Sequence, residues 1–198
     1  MSRDQILARI RQNRPEPRPL PEPVAAPTTY DDRVAKFRET LTFIGGQSLV
    51  AGDYAQAAAY IRQTYADLQT VVCQVPELRS LATITDRPAD PHDLADVELA
   101  ILPGAFGVAE NAAVWLPEES MGHRVLPFIC QHLVLIISEE SLVSNLHEAY
   151  ARLNPEETGF GVFIAGPSKT ADIEQSLVIG AHGARSLLVI ILHGGTNF

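Results

Sequence analysis

Two short stretches of the chain place a titratable side chain among residues that are small enough to leave room around it. Glu110 lies in the run GVAENAA, residues 107–113, where a carboxylate has the space to act as a nucleophile, a general base or a hydroxyl acceptor. His182 lies in GAHGA, residues 180–184, with little cover nearby, which suits an acid, a base or a ligand. Both have a structural alternative. Glu110 would accept N–H groups of its own turn, and His182 would bond to loop backbone.

A turn with anion-binding character is predicted between an apolar strand and a helix near the end of the sequence. Gly166 lets the backbone turn closely after the strand. A helix is predicted over residues 170–179, and a cap by Ser168 or Thr170 leaves N–H groups and the positive end of the helix dipole free. Lys169 adds a positive charge. Because ligands of open α/β sheets gather at the carboxyl edge of the strands, a small-anion site is expected there.

Acidic neighbours provide an alternative interpretation of this turn and of a preceding arginine. Asp172 and Glu174 fall in the first turn of the predicted helix, where they would compensate its dipole themselves. Arg124 would grip a carboxylate or phosphate through its planar fork, or else pair with Glu118 or Glu119 at the surface. The sequence contains no HExxH run and no i,i+4 pair of histidines, so no dedicated metal site is predicted.

The composition is that of an ordinary globular protein of medium size. Of the 198 residues, 46% are hydrophobic and 20% charged, and the net charge of −9 disfavours binding to the phosphate backbone of nucleic acids. The N-terminus lacks the apolar core of a secretory signal, and no apolar run is long enough to span a bilayer, so a cytoplasmic protein is expected. Cys73 and Cys130 each lie in an apolar stretch and are interpreted as buried small hydrophobic residues.

Alternation of β-branched runs with helical patterns predicts an α/β domain with a mostly parallel sheet. Three strands that follow one another too closely for crossover helices indicate an antiparallel insertion, and hence a mixed sheet. The predicted helices cover residues 31–41, 54–65, 141–152 and 170–179. The predicted strands cover residues 48–51, 70–75, 97–102, 113–116, 125–129, 132–137, 161–165 and 186–193.

The first 29 residues are set apart from this domain. Ile6, Leu7 and Ile10 mark one face of a short amphipathic helix, and six prolines follow between Pro15 and Pro27. Proline removes backbone donors and fixes φ, so this segment is predicted to be an extended arm. The division is therefore an N-terminal helix and arm over residues 1–29 and one domain over residues 30–198.

The chemical stretches together resemble the signatures of the LUD-domain family, of the lactate utilization protein C type. GPSKTADIE, residues 166–174, followed by Gly180-x-His182-Gly183, is similar to the family's GPS-basic-TADIE run and its GVHGP sequence. Residues 107–113 are similar to the family's GIAETGT block, with Asn111 in place of Thr and Ala112 in place of Gly. Arg124 and His132 fit the family's Arg…Pro…His pattern.

The resemblance implies a fold, a site and a biological context. The implied fold is the three-layer α/β/α architecture of the NagB/RpiA/CoA-transferase group, with a Rossmann-like, mostly parallel mixed sheet. Both motif blocks are expected to converge on one cleft. The catalytic candidates are Glu110 and His182, and the ligand-binding candidates are Asn111, Arg124, His132, Gly166, Ser168, Lys169, Thr170 and Asp172.

Three hypotheses about function follow from the resemblance and from the residues. In the first, the chain is an accessory subunit of a bacterial system that oxidises L-lactate to pyruvate. Iron–sulfur clusters are then expected in partner proteins and no cofactor is expected in this chain. In the second, Glu110 serves a stand-alone enzyme of the CoA-transferase type, whose catalytic glutamate lies in a Ser-Glu-Asn-Gly setting. In the third, the chain is a small-anion-binding module. The resemblance leaves open whether the chain is itself an enzyme.

Overall fold

A computed structural model describes residues 2–16, 18–19, 21, 26–84, 90–153, 159–171 and 177–194. The helices are α1 (Arg3–Gln12), α2 (Arg33–Phe43), α3 (Tyr54–Thr64), α4 (Glu118–Met121), α5 (Leu126–Ile129) and α6 (Leu146–Ala151). The strands are β1 (Gln47–Ala51), β2 (Val71–Cys73), β3 (Leu99–Pro103), β4 (Phe106–Val108), β5 (Ala113–Pro117), β6 (His132–Ser138), β7 (Gly161–Ile164), β8 (Lys169–Ala171), β9 (Leu177–Ile179) and β10 (Ser186–Leu192). Short 3-10 turns cover Pro76–Leu81, Pro91–Leu94 and Glu139–Ser141.

A five-stranded parallel sheet forms the centre of the domain, in the order β1-β10-β6-β3-β2. His132 at the start of β6 pairs with Ser186 on one side and with Leu99 on the other, so the amino ends of the three central strands are level. These strands are covered on both faces, which is why β6 and β10 are almost continuous apolar runs. The predicted α/β fold with a mostly parallel sheet is confirmed.

Different elements cover the two faces of this sheet. On one face, Ala57 and Ile61 of α3 pack against alternate residues of the central strands, such as Val134 and Ile190. On the other face, Phe37 and Leu41 of α2 are fully buried against the opposite set of strand residues. Helix α2 is capped by Asp32, whose side chain accepts the N–H of Ala35.

A second, antiparallel sheet of β4, β5 and β7 lies over the α2 face. Side chains alternate along β5. Val114 and Leu116 pack in the main core, while Ala113 and Trp115 pack in a smaller cluster on the other face of this sheet. Of the three closely spaced strands expected to form an antiparallel insertion, only β5 is antiparallel, because residues 126–129 are helical and β6 belongs to the parallel sheet. The antiparallel strands β4, β5 and β7 form a sheet of their own. All four strand pairs of the central sheet are parallel.

Three local predictions were wrong. Residues 125–129 form helix α5 rather than a strand, because Pro127 suits the first turn of a helix and provides no N–H for a ladder. Where the structure describes the range 170–179, predicted as a helix, it has strands instead: β8 and β9 pair antiparallel, and residues 172–176 lie outside the described residues. The helix predicted from residue 141 begins at Leu146, because Asn145 caps it.

The N-terminal helix α1 is present, as predicted. Ser2 and Gln5 make a reciprocal capping box at its start, and none of its residues is buried. The chain joins the domain near Tyr30, whose N–H is donated to Ser144 Oγ at 3.2 Å, while Asn145 Nδ2 donates to Thr28 O at 2.9 Å. Across the described ranges, no helix has the length and apolar character needed to cross a membrane.

Candidate functional site

A cavity of about 280 Å³ opens between the second sheet and the amino ends of β6 and β10. Leu133 and Leu187, the second residues of those strands, form its floor together with β7 and α5. Residues 165–169 and 182–184 form its polar side. The anion site was expected at the carboxyl edge of the sheet. That location was wrong, because β7 belongs to the antiparallel sheet and delivers the turn after it to the opposite edge.

Two loops are hydrogen-bonded to each other to form the polar side of this cavity. Ser168 N donates to Ala184 O at 2.8 Å, and Gly180 N donates to Ser168 O at 3.0 Å. A Cβ on Gly183 would lie 3.2 Å from Ser168 Cβ, so the glycine permits this close approach. Gly166, with φ +77°, lies against Ile44, where an added Cβ would meet backbone and side chain at 3.1 Å.

Lys169 is the one charged side chain among the described residues that line the cavity. Its Nζ donates to Ile44 O at 2.5 Å, a contact between residues 125 positions apart. An ammonium group has three N–H donors, and this bond uses one of them to position the charge. His182 is exposed at the same cavity, on the loop that precedes β10. The arrangement suits a small anion held by Lys169 and neighbouring polar groups.

Glu110 and Asn111 lie elsewhere, in the turn between β4 and β5. Glu110 N donates to Ser144 O at 3.1 Å, and its carboxylate oxygen Oε1 accepts the N–H of Leu146, the first residue of α6, at 2.8 Å. Asn111 Oδ1 accepts the N–H of Ala113 at 3.0 Å, which closes the turn. Ala112, which follows, has φ +56° and is fully buried. This φ lies in the left-handed region, which glycine adopts most readily. The GIAETGT block, to which residues 107–113 are similar, has glycine at this position.

The prediction of one shared cleft was wrong. Glu110 is bonded to residues 144 and 146, which follow the carboxyl end of β6, whereas His182 precedes the amino end of β10. The structure brings together Gly166, Ser168, Lys169 and His182 around the cavity. Glu110, Asn111, Arg124 and His132 are not among the described residues that line it, Asp172 lies outside the described residues, and Thr170 lies in β8 beside Lys169.

Arg124 makes the surface pair that the sequence offered as its alternative. Its Nε and Nη2 each lie 2.7 Å from a carboxylate oxygen of Glu118, in a two-pronged bond. This partner raises the pKa of the guanidinium, first through the hydrogen bond and then through charge. The guanidinium also lies 5.1 Å from the centre of the Phe160 ring. The fork of Arg124 is thus already occupied.

His132 belongs to a polar group at the amino edge, on the side of α3. Its Nδ1 lies 2.7 Å from Ser186 Oγ, and the ring of Tyr65 lies 5.6 Å away. Partial burial lowers the pKa of His132, and the positive charge of Arg185 lowers it further, while Glu98 opposes both effects. His132 joins two neighbouring strands at this edge.

Several residues of the site were not predicted from the sequence. Pro127 and Phe128 line the cavity from α5, which was predicted as a strand, and Ile44, the residue after α2, has the carbonyl that accepts from Lys169. A signal for the first two was available, since a proline within an apolar run argues against a strand. Ile44 carried no signal, because any backbone carbonyl is an acceptor.

The two cysteines are buried, as interpreted. Burial raises the pKa of Cys73 to about 11 and that of Cys130 to about 12. An iron–sulfur cluster normally takes four cysteine ligands, and the sequence contains two. Within the ranges that the structure describes, no group of three His, Cys, Asp or Glu side chains is arranged to hold a metal ion.

Comparisons with known proteins identify the fold and the family. The family model described as the LUD domain matches residues 34–192. A protein of Deinococcus radiodurans named lactate utilization protein C is 27% identical over 195 residues, covering 92% of this chain and 90% of that protein. One of the same name from Geobacillus kaustophilus is 29% identical, covering 83% and 70%.

A solved structure agrees with this match. It is described as the crystal structure of a DUF162 family protein from Deinococcus radiodurans, and it aligns with a TM-score of 0.64 at 15% identity, covering 85% of this chain and all of that one. This likeness shows the fold. The family model, which spans most of the chain, shows more: the chain belongs to the LUD-domain family.

Proposed function

We propose that this chain takes part in the bacterial utilization of L-lactate, as an accessory subunit that binds a small carboxylate. The observation that carries the proposal is the position of Lys169. It is the one charged side chain among the described residues around the cavity, and its bond to Ile44 O holds the ammonium in place. Relatives over most of the chain are named lactate utilization protein C, which supplies the context.

The cavity suits a small hydroxy acid better than a large anion. Its volume of about 280 Å³ lies at the small end of ligand pockets. A bound carboxylate would form an ion pair with the ammonium group of Lys169 and accept hydrogen bonds from Ser168 or His182. The apolar floor formed by Leu133 and Leu187 would accept a short alkyl group.

Oxidation would require partner proteins. Conversion of L-lactate to pyruvate releases two electrons and two protons, and the electrons need an acceptor. The two buried cysteines do not provide the ligands of an iron–sulfur cluster. We therefore assign electron transfer to iron–sulfur partner proteins. The role of this chain is then to bind the substrate or to contribute to assembly with those partners.

The CoA-transferase alternative has less support. An acyl-glutamyl intermediate requires a carboxylate that faces an open pocket with oxyanion donors nearby. Glu110 instead accepts the first N–H of α6, and it is not among the described residues that line the Lys169 cavity. A small-anion-binding module without a lactate partner remains the second candidate, because the Lys169 cavity supports it equally.

Growth on L-lactate distinguishes these functions. A strain that lacks the gene is complemented with the wild type, with Lys169→Met or with His182→Ala. Lys36→Met, at the other lysine of the chain, and His147→Ala, at another exposed histidine, serve as matched controls. We expect both controls to restore growth and Lys169→Met to fail, with wild-type amounts of folded protein in every strain.

A second readout tests the partners. The full chain, tagged and expressed from its own locus, should co-purify with proteins that carry iron–sulfur absorbance. Full growth of the deletion strain without complementation would contradict the lactate role. Growth with Lys169→Met equal to wild type would contradict the cavity as its site. Lactate-dependent growth without any co-purifying iron–sulfur protein would contradict the accessory-subunit assignment.

A further inference from the structure

An aromatic cluster lies on the outer face of the antiparallel sheet. Trp115 of β5 pairs across the strands with Phe106 of β4 and with Phe163 of β7. The Trp115 and Phe163 rings lie 4.7 Å apart between centroids, and the Phe106 ring lies 6.5 Å from that of Trp115. Side chains alternate along a strand, and Val114 and Leu116, which flank Trp115, are buried in the main core. The three aromatic side chains therefore lie on the other face of the sheet.

Helix α6 covers only part of this aromatic face. Ala149 of α6 packs on the cluster together with Phe106 and Val143. Beyond the helix, a cavity of about 390 Å³ remains open, and Trp115, Phe163 and Tyr150 are among its walls. Tyr150 is 63% exposed, although its ring centroid lies only 6.0 Å from that of Phe163. A large aromatic side chain is therefore displayed at the mouth of a cavity with an aromatic floor.

Two glycines border this cavity. A Cβ on Gly161 would lie 2.3 Å from Trp115 Cζ2, so only glycine lets the indole lie flat against β7. Gly159 has open space where a Cβ would project, and it forms part of the rim. The other described lining residues are Leu153 and Val162, and no charged side chain is among them.

We propose that this cavity is a second binding site, which takes a neutral, planar aromatic ring system of one or two fused rings. Aromatic side chains on two sides favour a flat ligand, because rings attract one another in offset-stacked or edge-to-face arrangements. The volume fits a bicyclic ring, and the described lining residues are apolar or aromatic, which favours a neutral ligand.

The two cavities share strand β7. Val162 and Phe163 border the Lys169 cavity on one side and the aromatic cavity on the other. The two sites are thus separated by a single strand, although their chemistry differs. The aromatic site does not depend on the assignment of the Lys169 cavity, and its test uses no growth or lactate readout.

Trp115 is the only tryptophan of the chain, so the tryptophan emission comes from a residue that lines this cavity. The full chain is titrated with 2,3-dimethyl-1,4-naphthoquinone, a neutral bicyclic probe without a free ring position for thiol addition, with excitation at a wavelength absorbed by tryptophan. N-acetyltryptophanamide provides the correction for collisional quenching. We expect saturable quenching at one probe per chain.

Variants decide where the probe binds. Tyr150→Ala removes an exposed ring at the cavity mouth and should weaken binding about fivefold or more. Phe43→Ala, which removes an 87% exposed ring elsewhere, should leave binding unchanged. Trp115→Leu, followed by equilibrium dialysis because it lacks the reporter, should also bind weakly while keeping its circular dichroism. Linear quenching that matches the free tryptophan analogue, or equal affinity in Tyr150→Ala and wild type, would overturn the proposal.

Discussion

The carboxylate of Glu110 accepts the first N–H of helix α6 at 2.8 Å, which predicts a structural rather than a chemical role. A hydrogen bond to a charged acceptor contributes about 1.5–3 kcal/mol net, and a neutral one about 1 kcal/mol. Because Glu110 is only half-buried, the lower ends of these ranges apply. Glu110→Ala should therefore cost about 1.5–2 kcal/mol, and Glu110→Gln, which keeps an acceptor oxygen, about 0.5–1 kcal/mol.

Thermal unfolding and growth together test this role. For a domain of this size, about 1 kcal/mol corresponds to about 2–4 °C in Tm, so Glu110→Gln should lower Tm by about 1–4 °C and Glu110→Ala by about 3–8 °C. Glu110→Gln should restore growth of the deletion strain on L-lactate, as should the control Glu119→Gln at an exposed site in α4. A Glu110→Gln protein that is as stable as predicted but supports no growth would refute the reasoning, because the carboxylate would then act chemically.

Three further outcomes follow from packing, titration and thiol burial. Gly107→Ala should lower the free energy of unfolding by about 1–3 kcal/mol, because the added Cβ would lie 2.8 Å from the side chain of the core residue Leu142. The control Gly52→Ala should change it by no more than about 0.5 kcal/mol. Urea unfolding measures both. The pKa of His132 is lowered in the folded protein, so the unfolded chain binds its proton first as the pH falls. Stability relative to His132→Gln should therefore decrease from the ordinary histidine pKa downwards, and an NMR-titrated pKa at or above that value would contradict this. Native Cys73 and Cys130, with pKa values of about 11 and 12, should resist a thiol reagent at pH 8 and both react in urea; rapid labelling of the folded protein would show that they are not buried.

The strands of the parallel sheet could be predicted because their pattern is local. Runs such as residues 132–137 and 186–193 are short, apolar and rich in β-branched residues, which is typical of strands covered on both faces. The same rule failed at residues 125–129, since a short apolar run does not by itself distinguish a strand from one turn of buried helix. In that run, Pro127 indicates the first turn of a helix more reliably than the apolar residues indicate a strand.

The candidate site was predicted only in part. Ser168, Lys169 and His182 do line one cavity, and the small residues around them do allow two loops to approach each other. Glu110 could not be placed from sequence, because its partner Leu146 lies 36 positions away and offers only a backbone N–H. Nothing in the local sequence of either residue encodes that contact.

The sequence by itself determined which residues are apolar enough to form the central sheet and which turns carry charge beside glycine. Only the tertiary structure decided at which edge of the sheet those turns lie. The reason is that β7 pairs with β5 rather than with the parallel strands, so the turn containing Lys169 arrives at the amino edge, where it meets Ile44 from 125 positions earlier. Pairing between distant strands depends on how the whole core closes, and no local pattern records it.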